Sequence, residues 1–519
     1  MLRKHLHWAW VPTTSFILFG LYAGFFIRIT HIPCFIVDPD SVILNNGILL
    51  AQKGLINDMI APGVPGFSII AFFALTLKPI AWLTGVDFNH WAFMNYASVL
   101  FALRILFFVI FTISCLLFLD SLLLMTGRKT GLFWGYIMLG SLLYFPNGLS
   151  GIQVDSETIS FLLFSIWLRF TVRFWKKDNY RALRWAFFTA GVLSAQKLTN
   201  IPVLIASFLL LWGHLWPKNG LNTIAIEGSK HFGLGVLGFI AGILPALRQV
   251  LLQLSGLVSF IFYSGQYSSG HRLFFSLGLA LAQIRVLFKM DHSLFLGFII
   301  LPIAWIINGC PISSETRKML PLLVTGTSCF LLYAKFPTPR YQVPNLLLFC
   351  FATCVLMTAW MNNRCVLTAA FGLFSVLWLI SPTLQFVSNI NQAVEKSANL
   401  DRFLRDNPAT RGRLYEYAKN EEFARLWSQQ HGGRVFENEL ARITPPLYWT
   451  SPPYFRNITF IPGPGKPEKT VPIFSACWDQ LIIQNSSLKR FLAQYPERML
   501  RILSIPGTQM SIVKSNHCV

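Results

Sequence analysis

Residues 36–56 read Ile36-Val-Asp-Pro-Asp-Ser-Val-Ile-Leu-Asn-Asn-Gly-Ile-Leu-Leu-Ala-Gln-Lys-Gly-Leu-Ile56 and follow a mostly apolar run at 10–29. That run is long enough to cross a bilayer, which takes roughly 20 apolar residues. Asp38 and Asp40 therefore sit just past the outer end of a first membrane-spanning segment. Residues 1–385 contain eleven acidic side chains, and two of them are here, one residue apart. Asp155 and Glu157 repeat that spacing farther along. Carboxylates near lipid are costly and are usually kept for chemistry or ion handling.

The composition sets the class. The 519 residues are 54% hydrophobic and 13% charged, against about 25% charged in soluble domains. The chain reads as an all-α polytopic membrane protein. Its formal charge of +21 sits mostly in short loops between apolar runs. Such a distribution sets topology and contacts lipid headgroups, and it does not make a nucleic-acid footprint. The N-terminal run, with Arg3 and Lys4 before it and no small-residue cleavage site after it, reads as a retained helix. The nine cysteines are scattered and include no C-x-x-C pair, and those inside apolar runs, such as Cys115 and Cys350, read as small buried hydrophobes.

Apolar runs place spans at 10–29, 96–125, 131–148, 158–173, 185–199, 200–216, 232–252, 292–309, 319–335, 343–361 and 366–385. With the N-terminus inside, every inner loop is basic, as the positive-inside rule requires. About eleven spans then leave the C-terminal tail outside. Two long outer segments interrupt the spans, 30–95 and 253–291. The first carries Ala61-Pro-Gly-Val-Pro-Gly66 followed by an apolar run suited to an interfacial helix. The expected domains are a transmembrane catalytic domain at 1–385 and a small α/β or irregular outer domain at 386–519. The tail holds 17 Lys and Arg and 11 Asp and Glu. Its residues 391–430 read as amphipathic helix and the remainder as loops and short strands.

The candidate site residues fall on one predicted face of the membrane. Asp38 and Asp40 follow span 1, and Asp155 and Glu157 open span 4. Lys197 ends span 5, and Arg340 and Tyr341 start span 10. Carboxylates supply a general base or ligands for a hard divalent cation, whereas Lys and Arg hold a phosphate and stabilise it as it leaves. Plainer roles exist for each residue. Asp-Pro-Asp is also a turn sequence, Asp155 and Glu157 also suit a helix N-terminus, and Lys197 could snorkel. Arg340 could be a loop charge, Arg104 could pair for stability, and His271 could be an ordinary surface histidine.

In order along residues 8–360, these motifs resemble the GT-C glycosyltransferases that use polyprenyl-phosphate-linked sugars, such as protein O-mannosyltransferases and lipid A aminoarabinose transferases. The matching stretches are IVDPDSVILNNGILLAQKGLI, APGVPGFSIIAFFAL, FALRIL, GLSGIQVDSETISFLLFSIWL, GVLSAQKLTN and PRYQVPNLLL. The family's interfacial helix has adjacent prolines, where this chain spaces Pro62 and Pro65 apart. The resemblance implies a GT-C fold and inverting transfer of one sugar from a polyprenyl-phosphate donor to a hydroxyl of a glycan, glycolipid or protein. It implies catalytic roles for Asp38, Asp40, Asp155 and Glu157, and donor-phosphate binding by Lys197, Arg340 and Tyr341. Arg104, His271 and Tyr267 would give support. Asp38, Asp40 and Asp155 could hold a divalent metal (Mg2+, Mn2+ or Zn2+). The expected setting is a bacterial inner membrane with the site facing the periplasm, or the ER membrane in a eukaryote. The rival functions are a transporter or flippase of lipid-linked sugar and a non-catalytic assembly protein. The clustering of acids at one surface and the lack of two similar halves weigh against transport.

Overall fold

A computed structural model of the chain describes chiefly residues 63–85, 96–143, 154–215, 221–247, 314–332 and 343–361, five short strands between 412 and 515, and isolated residues elsewhere. The expected spans at 292–309 and 366–385, most of 10–29 and the outer segment 253–291 lie outside the described residues. In chain order the helices are α1 (Val64–Leu83), α2 (Tyr96–Thr126), α3 (Lys129–Leu143), α4 (Ser156–Lys177) and α5 (Tyr180–Gln196). They continue with α6 (Ile201–Leu215), α7 (Leu221–Ile243), α8 (Ser314–Leu332) and α9 (Val343–Met361). Short 3-10 turns, Leu198–Asn200 and Leu244–Ala246, lead into α6 and follow α7.

Among the described residues, five helical stretches are long and apolar enough to cross a membrane: Val64–Leu83, Phe101–Thr126, Ser156–Lys177, Leu198–Leu215 and Ala225–Ala246. The protein is a helical, multi-pass membrane protein. Helix α1 extends the apolar stretch of the first outer segment to 20 residues, through Thr76, Lys78 and Pro79. Helix α7 starts at Leu221, well before the expected 232. Two of its early polar residues find local partners: Lys230 pairs with Glu227 at 2.8 Å and His231 Nδ1 lies 2.7 Å from the Glu227 carbonyl. Three helices begin with proline in second place, at Pro65, Pro202 and Pro344. The missing N–H there would have no intrahelical partner anyway.

The chain divides into two compact units, Met1–Tyr22 with Gln52–Ile70 and Arg104–Val387, and Ala23–Ala51 with Ala71–Leu103 and Ser388–Val519. The first unit holds the main core. Phe111 and Phe118 of α2 meet Phe161 of α4, with ring centroids 5.9 and 6.1 Å apart, and Phe118 also meets Phe351 of α9 edge-on. Helix α9 is buried on all sides from Val343 to Thr358. That fits its all-round apolar sequence, which has no polar stripe to present outward. On α2 the apolar residues Ile105, Val109 and Ile113 are exposed at four-residue spacing, forming a stripe suited to lipid. Some hydroxyls inside these helices bond back one turn, as Ser114 does to the Ile110 carbonyl, Ser194 to Ala190 and Thr358 to Cys354, so these three add no unmet polar group.

Helix α5 packs against α4, α6 and α7, and its approach to α7 depends on glycine. A β-carbon at Gly191 would stand 1.9 Å from the Gly235 carbonyl oxygen, and one at Gly238 would stand 2.0 Å from the Phe188 carbonyl oxygen. Small residues let two backbones come this close, and van der Waals contact drives association in lipid.

In the second unit the tail forms a five-stranded mixed sheet in the order β2-β1-β3-β5-β4. The strands are β1 (Gly412–Glu416), β2 (Thr459–Pro462), β3 (Gln480–Gln484), β4 (Leu500–Ser504) and β5 (Met510–Ser515). β1 pairs in parallel with β2 and β3, with Leu414 opposite Phe460 and Ile482. This corrects the helical reading of residues 412–416. A strand hydrogen-bonded along both edges gains more from its neighbours than its own helical periodicity offers.

Glycine substitutions test the close helix pair. Gly191→Ala should lower the melting temperature in detergent sharply, by more than the roughly 1–3 kcal/mol usual for overpacking, because a backbone carbonyl cannot step aside. Gly213→Ala, where a β-carbon meets nothing within 4 Å, should leave it unchanged or raised by up to about 1 kcal/mol of helix propensity. Equal behaviour of the two variants would refute the close approach.

Candidate functional site

The site is built where α4 begins and α5 ends. A two-residue turn makes them neighbours. Asp178 closes α4 in the left-handed conformation (φ 48°, ψ 37°), and Asn179 caps α5, its Oδ1 accepting the Ala182 N–H at 3.1 Å. Asp and Asn tolerate both roles. The antiparallel hairpin puts Arg173, Lys176, Lys177, Arg181 and Arg184 toward its turn and brings Asp155, Glu157 and Lys197 together at the open end.

Helix α5 stops at Lys197 because of Pro202. In a continuous helix that proline could not donate to residue 198, and its ring would crowd the residue-198 carbonyl. The chain instead extends at Lys197 (φ −161°, ψ 129°), makes one 3-10 turn and restarts as α6. Backbone and side-chain groups bond across the break. Lys197 N–H donates to the Leu193 carbonyl at 3.2 Å, and the Lys197 carbonyl accepts the Asn200 N–H at 2.9 Å. The Asn200 side chain donates to the Leu193 carbonyl and to Ser160 Oγ at 2.8 and 3.1 Å.

Four side-chain contacts join α4 to this segment at a constant offset of 40 residues: Ser156 with Gln196, Glu157 with Lys197, Ser160 with Asn200 and Trp167 with Ser207. Their positions on α4 fall on one helical face. The Glu157 carboxylate forms an ion pair with the Lys197 ammonium and accepts a hydrogen bond from Ser156 Oγ at 2.7 Å. Both members are buried, at 5% and 8% exposure. Asp155 caps α4, its Oδ1 accepting the Thr158 N–H at 2.7 Å. The first turn of α4 thus gathers two acids at the positive end of its dipole.

Known proteins were compared with this chain. No family model matches the sequence, and no curated protein matches it. Among solved structures, the chain is similar to the crystal structure of ArnT from Cupriavidus metallidurans bound to undecaprenyl phosphate, 14% identical over 99% of each chain, with a TM-score of 0.47.

The other sequence candidates are distributed as follows. Arg104 is enclosed within α2, with 2% of its surface exposed. Asp38, Asp40, Tyr267, His271, Arg340 and Tyr341 lie outside the described residues. Among the described residues no group of three or more His, Cys, Asp or Glu is placed to hold a metal ion. A second intramembrane pair, Asp120 on α2 with Arg169 on α4, neutralises two charges within the helices. Sequence reasoning passed over Gln196, Asn200 and Ser156, which tie the break to α4. Asn200 and Pro202 carried a local signal, since a polar residue just before Ile-Pro marks a helix restart.

The capping role and any chemical role of Asp155 are separable. Asp155→Ala should cost about 1 kcal/mol of stability, the usual value of an N-cap, whereas Asp155→Asn keeps an accepting oxygen and should melt within about 0.5 kcal/mol of wild type. Thermal melting of the two variants side by side checks this. An equally large loss in both would show that the carboxylate charge, and not the cap, stabilises the helix start.

Proposed function

We propose that this protein is an integral-membrane, inverting glycosyltransferase that moves a single sugar from a polyprenyl-phosphate-linked donor to a hydroxyl of a glycan, glycolipid or protein. The supporting observation is the buried Glu157–Lys197 pair, held at a broken helix beside the acid-capped start of α4. A buried lysine is expensive unless paired, and such a site at a helix break suits a ligand with a charged head and an apolar tail.

In this reading the acceptor oxygen attacks the anomeric carbon while the bond from that carbon to the lipid phosphate oxygen breaks. The electron pair leaves with the phosphate, and the hydroxyl proton passes to Asp38 or Asp40. Attack from the face opposite the leaving group inverts the anomeric centre. Lys197 and Arg340 hold the phosphate as its charge grows, and Tyr341 lines the pocket. An ammonium has three N–H donors, so it can hold Glu157 and a phosphate oxygen together. Asp155 and Glu157 complete the acceptor side, with Arg104, Tyr267 and His271 in support. A divalent cation, if used, would be held by the hard carboxylate oxygens of Asp38, Asp40 and Asp155 and would supply charge compensation. The reading places the site at the periplasmic face of a bacterial inner membrane.

The test uses full-length protein in nanodiscs with radiolabelled polyprenyl-phosphate sugars and extracted envelope acceptors. Wild type should consume a donor. Asp40→Asn should slow turnover by about 10²–10⁴, the usual range for a lost general base. Lys197→Met should slow it by about 10²–10³, as for other lost charge stabilisers. No turnover of any donor, with the variants indistinguishable from wild type, would overturn the proposal in favour of transport or assembly.

A further inference from the structure

Gln196 is fully buried, carries no charge, and precedes the lysine at the break. Its Oε1 accepts the Gly66 N–H at 2.8 Å, and its Nε2 donates to the Ser156 carbonyl at 3.3 Å. Gly66 lies in the first turn of α1, where an N–H has no helical partner. Ser156 is the first residue of α4, directly before Glu157. One amide therefore joins the starts of two helices to the end of a third. The fit at Gly66 is close, because a β-carbon there would stand 3.2 Å from Gln196 Nε2. A glutamine that satisfies a donor and an acceptor on two other helices fixes distances that apolar packing alone leaves adjustable.

We infer that Gln196 is a positioning residue for Lys197: its amide fixes the end of α5 against the start of α4, and so sets where the lysine ammonium stands relative to Glu157 and the donor phosphate. The inference rests on the proposed function for the phosphate, but the Glu157–Lys197 geometry can be read without turnover. Gln196 acts through its neighbours and touches no reacting atom. Gly66 brings in α1 as the third helix held by this amide.

The experiment takes full-length Gln196→Leu, which keeps the bulk and removes both hydrogen bonds, and Gln196→Glu, which keeps the acceptor for Gly66 and loses the donor to Ser156. A membrane-permeant carbodiimide activates the Glu157 carboxylate and couples it to the Lys197 amine as an amide, releasing the urea. Mass spectrometry of the cross-linked peptides gives the yield. We expect the yield to fall about tenfold in Gln196→Leu, the worth of roughly one net hydrogen bond, in protein that remains monodisperse. With the polyprenyl-phosphate sugar that wild type consumes, KM should rise by a similar factor and kcat should change less. Gln196→Leu added to Lys197→Met should cost nothing further.

An unchanged cross-link yield in both Gln196 variants overturns the inference, and so does an absent cross-link in wild type. Multiplicative losses in the double variant also overturn it, since they indicate a merely structural role. If Gln196→Leu fails to fold, Gln196→Glu carries the same readouts. A reduced yield in protein whose wild type consumes no donor supports the positioning geometry while the transferase reading fails.

Discussion

Everything described at the candidate site depends on one constraint, that a helix broken within a membrane protein must satisfy the backbone groups it frees. Burial of Gln196, Lys197 and Asn200 keeps water from much of the break, so freed backbone groups need partners in the protein. Pro202 forces the interruption. A 3-10 turn takes up the Lys197 carbonyl, and the Asn200 side chain ties the break to the Leu193 carbonyl and to Ser160 of α4. The polar residues that repair the break are also those that bring Lys197 against Glu157. Repair and site are one construction, which explains why a lysine can sit there with so little exposure.

That lysine shows which effect dominates. A buried ion pair seldom stabilises a fold relative to apolar residues, since desolvation offsets the attraction. Glu157–Lys197 is therefore poorly explained as a staple. Asp155 differs, because an N-cap contributes to stability in its own right, and its carboxylate serves the helix whether or not it serves a substrate. Glu157 and Lys197 are the residues whose retention is better explained by binding or chemistry.

The surrounding packing makes the geometry repeatable. Helix α5 is held on one side by the contacts to α4 and on another by the glycine approach to α7, where two carbonyls leave no room for side chains. Helix α9 contributes an apolar surface buried on every side. Several side-chain hydroxyls bond to their own helices, so the polar contacts between α4 and the break, with the Asp120–Arg169 pair and the Gln196–Gly66 bond, are specific links in a mostly apolar packing. A fixed polar register within an otherwise slippery apolar bundle is what interhelical hydrogen bonds in lipid provide.

Much of this was legible in the sequence. Apolar run length located α2, α4, α6, α8 and α9 within a few residues, because a bilayer imposes that length on any span. The scarcity of acids singled out Asp155 and Glu157, and apolar run length put Lys197 near the end of a span. The sequence misread residues 412–416 as helix, since local periodicity says nothing of the two strands that flank β1. It started α7 too late, because an i,i+3 ion pair makes polar residues acceptable in a helix whose hydropathy reads as loop. It offered no hint that Gln196 bonds to Gly66, 130 residues away, or that α4 and the break share a 40-residue offset. Composition and spacing determined that this chain is a helical membrane protein with rare, clustered charges. Which charges meet was decided only by tertiary structure, because an ion pair depends on helix register, and register is set by turns, glycine contacts and a proline break acting together.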